Sequence, residues 1–455
     1  MRKENSVCRK LSLLALAVLF GWLTSPLYAD QPYSPLWSCQ FGTDNYDSAN
    51  DVAVDASGDV YIAGGTLGSM DRANAGGSDS YLAKITQGQG VLWTRQTGTQ
   101  WTESSEGVAI GVSGHVFVTG DAMKPLVNYP YCAQSDISVA SYSESGSWLW
   151  EGQTGGSEAD WPNGVASGLD GSVYSAGSRI INSTQYGFVV KFDVAGSLSW
   201  MQSFGTPGAQ AVHSVTVDGN GDILVSGDTL GALGGENVGG YDAYVRKYNS
   251  NGDVLWTRQV GSNKNDSGTS VGFDAEGNVY LAGQTYGQIA APNDGWLSPF
   301  ICKFDKDGNP VWSRQIEPTD QNTQCLDVVI DAAGNSYLTG NTLSLFDDPH
   351  GSADIYLCSF DKDGEFRWGL QEGTDKSDYA ASIAMDQLGR IYICGTTYGT
   401  LSGQSQGLGD AFVLVYVPEP ATLSLLFLGG LAVLRRPRRG QGPGREPTCR
   451  LSAGK

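Results

Sequence analysis

Hydrophobic and polar residues alternate along most of the chain in short runs that are separated by glycine-containing turns. One such unit has alternating runs at residues 51–55 and 59–65, joined by a Ser-Gly turn, and two more at residues 78–85 and 91–98. Alternation with a period of two predicts β-strands, and a glycine turn between two such runs predicts a β-hairpin. The pattern therefore predicts four strands, named a to d, in each unit.

The d strand carries a tryptophan that recurs along the chain at separations of 56, 57, 50, 56, 56 and 56 residues. The seven copies are Trp37, Trp93, Trp150, Trp200, Trp256, Trp312 and Trp368. Self-similarity at a fixed period indicates repeated supersecondary units. We expect these rings to pack between neighbouring units, and the glutamine three residues after most of them to hydrogen-bond backbone groups there.

The two ends of the repeat array are complementary. The seventh unit stops at a c strand, residues 410–417, whereas residues 36–42 form a d strand with no preceding partners. An N-terminal strand that completes the last sheet closes a ring, which is the architecture of a propeller. The sequence thus predicts an all-β fold: a seven-bladed β-propeller of four-stranded blades over residues 36–417, closed by the N-terminal strand.

Two stretches carry a family resemblance. GGYDAYVRKYNSNGDVLW, residues 239–256, and VGFDAEGNVYLAGQT, residues 271–285, resemble the β-propeller repeat family called SBBP. The resemblance extends over residues 36–417. It implies the propeller fold and says little about function.

The N-terminus has the composition of a secretory signal peptide. Arg2, Lys3, Arg9 and Lys10 precede an apolar run at residues 11–23, and Ala29 offers a small residue for cleavage. We therefore expect residues 1–29 to be removed during export through the inner membrane.

The C-terminal region, residues 418–439, resembles the PEP-CTERM sorting signal. Pro418, Glu419 and Pro420 precede an apolar run that ends at the basic pair Arg435 and Arg436. The resemblance implies an exosortase-type processing enzyme as a partner. It also implies a secreted or cell-surface protein that contacts the membrane only through this segment. An ordinary single-span anchor remains the alternative, although the run is short for a span of about 20 residues. Residues 440–455 are predicted to be a short disordered tail.

Removal of both end segments makes the protein more acidic. The whole chain has a formal net charge of −20, and residues 30–417 retain 17 basic and 45 acidic residues, a net charge of −28. Because nucleic-acid binding needs stripes of lysine and arginine, this charge argues against a nucleic-acid partner.

Three tryptophans outside the repeat period fall in variable connections. In a propeller, the b–c and d–a connections lie on one face, and Trp101, Trp161 and Trp296 fall in these connections, together with Tyr129 and Tyr131. Variable loops on a rigid scaffold commonly bind ligands, and exposed aromatic rings suit sugars or a protein partner. We predict a ligand-binding face there; packing against the neighbouring blade is the alternative.

A periodic carboxylate is the second candidate. Five residues after the end of strand d stand Asp47, Glu103, Asp160, Asp266 and Asp378. A ring of such groups is a candidate site for Ca²⁺, which prefers several oxygen ligands. Their repetition in most units favours the alternative, in which each carboxylate accepts backbone N–H bonds in its own turn. No other cofactor is predicted.

Catalytic signals are sparse. The histidines, His115, His213 and His350, lie in different units, and the sequence contains no HExxH and no GxSxG. The favoured hypothesis is a non-catalytic, exported propeller that binds or scaffolds at the cell envelope or in an extracellular polysaccharide matrix. The alternative is a carbohydrate-active hydrolase or lyase that uses loop-face carboxylates such as Glu103 or Asp160.

The cysteines of the propeller are predicted to be free, buried thiols.

Overall fold

The computed structural model describes residues 33–122, 135–156, 158–317, 322–346, 350–403 and 405–418. These residues form 28 β-strands and no helix. The strands are arranged as seven four-stranded antiparallel sheets, one for each predicted blade. The predicted all-β, seven-bladed propeller is confirmed.

The strands follow the chain in order, beginning with β1 (Tyr33–Phe41). Blade 1 contains β2 (Asp47–Val54), β3 (Val60–Thr66), β4 (Asp79–Thr86) and β5 (Gly90–Thr97). Blade 2 contains β6 (Ser105–Ile110), β7 (Val116–Ala122), β8 (Asp136–Tyr142) and β9 (Trp148–Thr154). Blade 3 contains β10 (Asp160–Ser167), β11 (Val173–Ile181), β12 (Thr184–Phe192) and β13 (Leu198–Phe204).

Blade 4 contains β14 (Gln210–Val217), β15 (Ile223–Thr229), β16 (Asp242–Tyr248) and β17 (Val254–Val260). Blade 5 contains β18 (Asp266–Phe273), β19 (Val279–Thr285), β20 (Ser298–Phe304) and β21 (Pro310–Gln315). Blade 6 contains β22 (Asp327–Ile330), β23 (Ser336–Thr342), β24 (Asp354–Phe360) and β25 (Phe366–Glu372). Blade 7 contains β26 (Asp378–Met385), β27 (Ile391–Thr397), β28 (Asp410–Pro418) and, as its outer strand, β1.

The hydrophobic core lies between neighbouring blades. The middle strands are buried along their whole length, as in β3, β24 and β27, because a sheet lies against each of their faces. One cluster joins Tyr174 and Val189 of blade 3 to Val225 and Tyr244 of blade 4. Each blade therefore depends on both neighbours for its stability, which explains why the ring must close.

The repeated tryptophans pack between blades, as predicted. Gly308, in the β20–β21 turn, has a φ of +80°, and an added Cβ would lie 2.8 Å from the Trp256 ring of the preceding blade. Trp312 lies against Gly364 in the same way, and the Arg314 side chain donates from Nε to the Gly364 carbonyl at 2.7 Å. A glycine is needed in these turns both for the left-handed backbone and for the close approach of the indole.

Blade 7 has no c–d turn, because its outer strand comes from the other end of the chain. Tyr33, the first residue of β1, replaces that turn: its ring centroid lies 5.4 Å from that of Trp368, and its hydroxyl lies 3.4 Å from the Tyr337 hydroxyl. The closing strand thus begins at Tyr33, three residues before the predicted start at residue 36.

The described part of the chain contains no helix that could cross a membrane. The predicted signal peptide, the sorting segment beyond Pro418 and the tail lie outside the described residues.

Candidate functional site

Trp101, Trp161 and Trp296, which lie outside the repeat period, are exposed on the face formed by the b–c and d–a connections. We call this face the loop face. The exposed fractions are 52% for Trp101, 40% for Trp161 and 43% for Trp296. Trp101 lies between β5 and β6, Trp161 is the second residue of β10, and Trp296 lies between β19 and β20. They belong to separate parts of the ring, so the structure does not bring them together. Tyr129 and Tyr131 lie outside the described residues.

Three tyrosines that the sequence analysis missed do come together. Tyr46, Tyr379 and Tyr398 meet where blade 7 adjoins blade 1, and we call them the tyrosine cluster. The ring centroids of Tyr46 and Tyr398 are 6.1 Å apart, and those of Tyr379 and Tyr398 are 6.2 Å apart. Tyr379 is 40% exposed and Tyr398 is 37% exposed. The cluster therefore presents an accessible aromatic surface on the loop face.

One signal in the sequence could have revealed part of this surface. Tyr379 is the second residue of β26 and Trp161 is the second residue of β10, so the two occupy the same position of strand a. Strand a is the innermost strand of each blade. The two aromatic rings are therefore placed beside the mouth of the central channel, in blades 7 and 3.

The predicted carboxylates are buried; the four aspartates are the first residues of their a strands, and Glu103 lies two residues before β6. Asp47 accepts hydrogen bonds from the Thr43 amide at 2.6 Å, from the Thr43 hydroxyl at 2.9 Å and from the Thr66 hydroxyl. Asp266 accepts from the Ser262 amide at 2.6 Å. Burial raises the pKa of both carboxyl groups, and these hydrogen bonds oppose that rise.

The remaining members of the set are held in similar ways. Asp378 accepts from the Thr374 hydroxyl at 2.8 Å, and Glu103 accepts from the Thr99 amide at 3.1 Å. Asp160 has lost these hydroxyl partners and pairs with Arg179 Nε at 3.1 Å; burial raises its pKa to about 6. The described residues contain no group of three or more histidine, cysteine, aspartate or glutamate side chains placed to hold a metal ion. The cation ring stays a prediction, and these contacts favour its alternative, a structural role in each turn.

The repeated glutamines stabilise the loop face from within each blade, and our prediction that they act between blades is wrong. Gln371 donates from Nε2 to Asp354 Oδ2 at 2.7 Å and accepts from the Leu345 amide at 2.9 Å. All three residues belong to blade 6. The same contact with a b–c connection recurs at Gln40, Gln96, Gln259 and Gln315. Each of these five glutamines therefore links described residues of a b–c connection to strands c and d.

A central channel of about 440 Å³ is lined by the a strands of all seven blades. Its polar side chains include Glu106 and His213. His213 Nε2 and the Ser267 hydroxyl both contact Asp228 Oδ2, at 3.0 and 2.9 Å. In a nucleophilic triad the serine hydroxyl hydrogen-bonds to the histidine, so this arrangement is not a triad. Glu103 and Asp160, named in the enzyme hypothesis, are buried and therefore cannot meet a polysaccharide without rearrangement.

Five cysteines in the described part of the chain are free: Cys39, Cys302, Cys325, Cys358 and Cys394. The prediction of free, buried thiols is confirmed for four of them, whereas Cys39 is free but only partly buried. Cys132 lies outside the described residues.

This fold and its periodic contacts define a β-propeller repeat protein. The family model described as "SBBP: Beta-propeller repeat" matches the chain in four segments, residues 36–69, 255–289, 311–347 and 368–401. Each matched segment contains most of a strand d and the a–b hairpin that follows it, so the sequence match and the observed blades have the same period.

One curated relative is the "Regulatory protein FlaEY" of Caulobacter vibrioides, which is 25% identical over 194 residues. The match covers 39% of this chain and 20% of that relative, so it spans about a fifth of the relative's length.

Similar solved structures include "YCF48 bound to D1 peptide", with a TM-score of 0.48, 12% identity and coverage of 87% of this chain and 99% of that one. Sqt1 from Chaetomium thermophilum has a TM-score of 0.47 and 13% identity, and the match covers 85% of this chain and 98% of that one. A fungal alcohol oxidase of the AA5 family has a TM-score of 0.49 and 14% identity, with coverage of 85% and 77%. Likeness at this level carries no argument about what this chain binds.

Proposed function

We propose that the protein is an exported, non-catalytic propeller that binds polysaccharide through its loop face at the cell envelope or in the extracellular matrix. The observation that carries this proposal is the set of exposed aromatic side chains on that face, Trp101, Trp161, Trp296, Tyr379 and Tyr398. Aromatic faces stack on the C–H surfaces of sugar rings, and a tyrosine hydroxyl adds a hydrogen-bonding group. The export and sorting signals expected from the sequence motivate the location.

The hydrogen bonds that hold described parts of the loop face support binding. The b–c connections are fastened by the repeated glutamines, and the d–a turns are held by buried carboxylates such as Asp47. A surface that is already ordered loses less conformational entropy when a ligand binds.

The charge of the propeller narrows the class of polysaccharide. Residues 30–417 carry a net charge of −28, which repels polymers of uronic acids and does not oppose neutral polymers or those of amino sugars. We therefore propose neutral or cationic glycans as ligands.

Binding of the full-length protein to immobilised neutral glucan, chitosan and alginate tests this proposal. The informative variant combines Trp161→Ala with Tyr379→Ala, and the control is Trp148→Ala, because Trp148 is 60% exposed but follows the c–d turn on the opposite face. We expect the double variant to weaken binding roughly 30- to 1000-fold, since each of the two aromatic contacts that binding would bury contributes about 1–2 kcal/mol. The control should bind like the wild type. Equal losses in both variants, or no binding to any of the three polymers, would contradict the proposal.

We also propose that an exosortase-type enzyme processes the C-terminal segment around Pro418, Glu419 and Pro420. The order of the PEP motif, the short apolar run and the basic pair Arg435 and Arg436 supports this assignment.

A further inference from the structure

Four consecutive blades place a hydrogen-bonding side chain at equivalent positions of strand a. These residues are Ser270 in blade 5, Asp327 in blade 6, Ser382 in blade 7 and Asp51 in blade 1, and we call them the acid arc. The Ser270 hydroxyl lies 2.6 Å from Asp327 Oδ1, and the Ser382 hydroxyl lies 2.8 Å from Asp327 Oδ2 and 2.6 Å from Asp51 Oδ1. The hydrogen bonds thus connect blades 5, 6, 7 and 1 across the blade in which the two ends of the chain meet.

The number of protons in this arc is fixed by its chemistry. A serine hydroxyl has one proton to donate, whereas Ser382 is within hydrogen-bond distance of two carboxyl groups. If both carboxyls were ionised, the hydroxyl proton could serve only one of them. The other contact would then join two acceptors, and two negatively charged carboxylates would face one buried hydroxyl oxygen. Both contacts are satisfied only when one of the carboxyls carries a proton.

The donors around each carboxyl indicate which one is protonated. Asp327 accepts from two backbone amides, those of Val328 at 2.8 Å and Ile383 at 2.9 Å, and also from both serine hydroxyls. Apart from the contact with Ser382, the only described groups that donate hydrogen bonds to Asp51 are the Val52 amide at 2.8 Å and the Val108 amide at 2.7 Å. More donors stabilise the charged form, so Asp327 is the anion and Asp51 holds the proton.

The surroundings of Asp51 contain no positive charge that would favour its ionisation. It faces Asp327 on β22, Ser382 on β26, the Cys394 thiol on β27 and the Val108 amide on β6. Glu106, also on β6, lies 3.5 Å from the neighbouring Asn50 side chain and adds a further carboxyl. The described residues that line the channel include no lysine or arginine, and its one histidine, His213, lies in blade 4. Burial, with a contribution from the nearby Asp327 charge, raises the pKa of Asp51 to about 7.

We propose that closure of the ring across blades 6, 7 and 1 depends on a proton: Asp51 donates to Ser382, and Ser382 donates to Asp327. Loss of that proton removes one hydrogen bond and leaves two carboxylates facing one hydroxyl, which weakens the junction on both sides of blade 7. In an unfolded chain the aspartate pKa is about 3.9, below the folded value. The stability from the arc is therefore complete below about pH 3.9, falls as the pH rises between the unfolded and folded pKa values, and is lost once the pH passes the folded value of about 7.

Urea unfolding of the full-length protein between pH 5 and pH 8 tests this proposal. We expect the wild-type ratio of folded to unfolded protein to fall on the order of 10- to 100-fold more over this range than that of Asp51→Asn, which cannot ionise. Other buried carboxyls such as Asp160 add to the wild-type slope, so the difference between the two proteins is the quantity of interest. The matched control is Ser214→Ala, at the equivalent position in blade 4, which should keep the wild-type slope.

A second variant tests the pair from its other side. In Asp327→Asn, Ser382 is free to donate to an ionised Asp51, so this variant should also lose the extra slope. It remains informative if Asp51→Asn does not fold. The proposal is overturned if Asp51→Asn and Asp327→Asn, or whichever of them folds, keep the wild-type pH dependence of stability. It is also overturned if Ser214→Ala loses that pH dependence to the same extent.

Discussion

At the scale of single residues, three side chains of the repeated d-strand segment around Trp256 each make a characteristic contact. The indole of Trp256 covers Gly308 of the next blade, Arg258 donates to the Gly308 carbonyl, and Gln259 donates to Asp242 at 2.9 Å within its own blade. The packing role of the tryptophan could be predicted from its period alone. The backbone partners of the glutamine could not be predicted, because they lie on b–c connections whose sequence varies between blades.

Gln371→Ala tests the contribution of the glutamines to stability. The variant leaves the Leu345 amide without its acceptor and the Asp354 carboxylate with one donor fewer in a buried setting. We expect the free energy of unfolding to fall by about 1–3 kcal/mol, measured by urea denaturation. Gln87→Ala, at an exposed turn position, should change it by less than about 0.5 kcal/mol. Equal effects would show that the contact contributes nothing of its own.

At the scale of elements, the close fit between a d strand and the next c–d turn determines how blades pack. Gly308 and Gly88 both lie in c–d turns with left-handed backbones, at φ values of +80° and +78°. Only Gly308 faces a tryptophan, since a Cβ at Gly88 would meet nothing within 4 Å. The two positions therefore separate backbone strain from packing between blades.

Alanine at these two glycines should give different losses of stability. Both substitutions incur the strain of a left-handed alanine, about 1 kcal/mol. Gly308→Ala additionally forces the Trp256 ring away, which should cost about 1–3 kcal/mol more in thermal or urea unfolding. If Gly88→Ala is as harmful as Gly308→Ala, the indole contact does not hold the blades together.

At the scale of the whole molecule, ring closure was predictable because the missing d strand of blade 7 is visible at the N-terminus. The tyrosine cluster was not, because Tyr46 and Tyr379 are far apart in sequence and meet only once the ring has closed. The acid arc was equally hidden: the equivalent positions carry serine in three blades, aspartate in two and glycine in two, so no single repeated residue type marks the arc. Periodic contacts can be read from a repeat, whereas contacts that differ from blade to blade need the fold.

Export and sorting make a prediction about the mass of the mature protein. If both end segments are processed, the protein recovered outside the cytoplasm lacks residues 1–29 and the apolar segment after the PEP motif. Intact-mass spectrometry should show both losses for the wild type and retention of the C-terminal segment in a Glu419→Ala variant. A wild-type mass that still includes Arg435 and Arg436 would indicate an ordinary anchor instead.

Hydrogen exchange in the presence of a neutral polysaccharide tests most directly the central claim, that function resides on the loop face. Bound polymer should slow amide exchange in loop-face segments such as residues 43–46, 376–379 and 398–402. Exchange should be unchanged in the c–d turns on the opposite face, such as residues 305–309 and 361–365. Protection confined to those turns, or no protection at saturating polymer, would contradict the account.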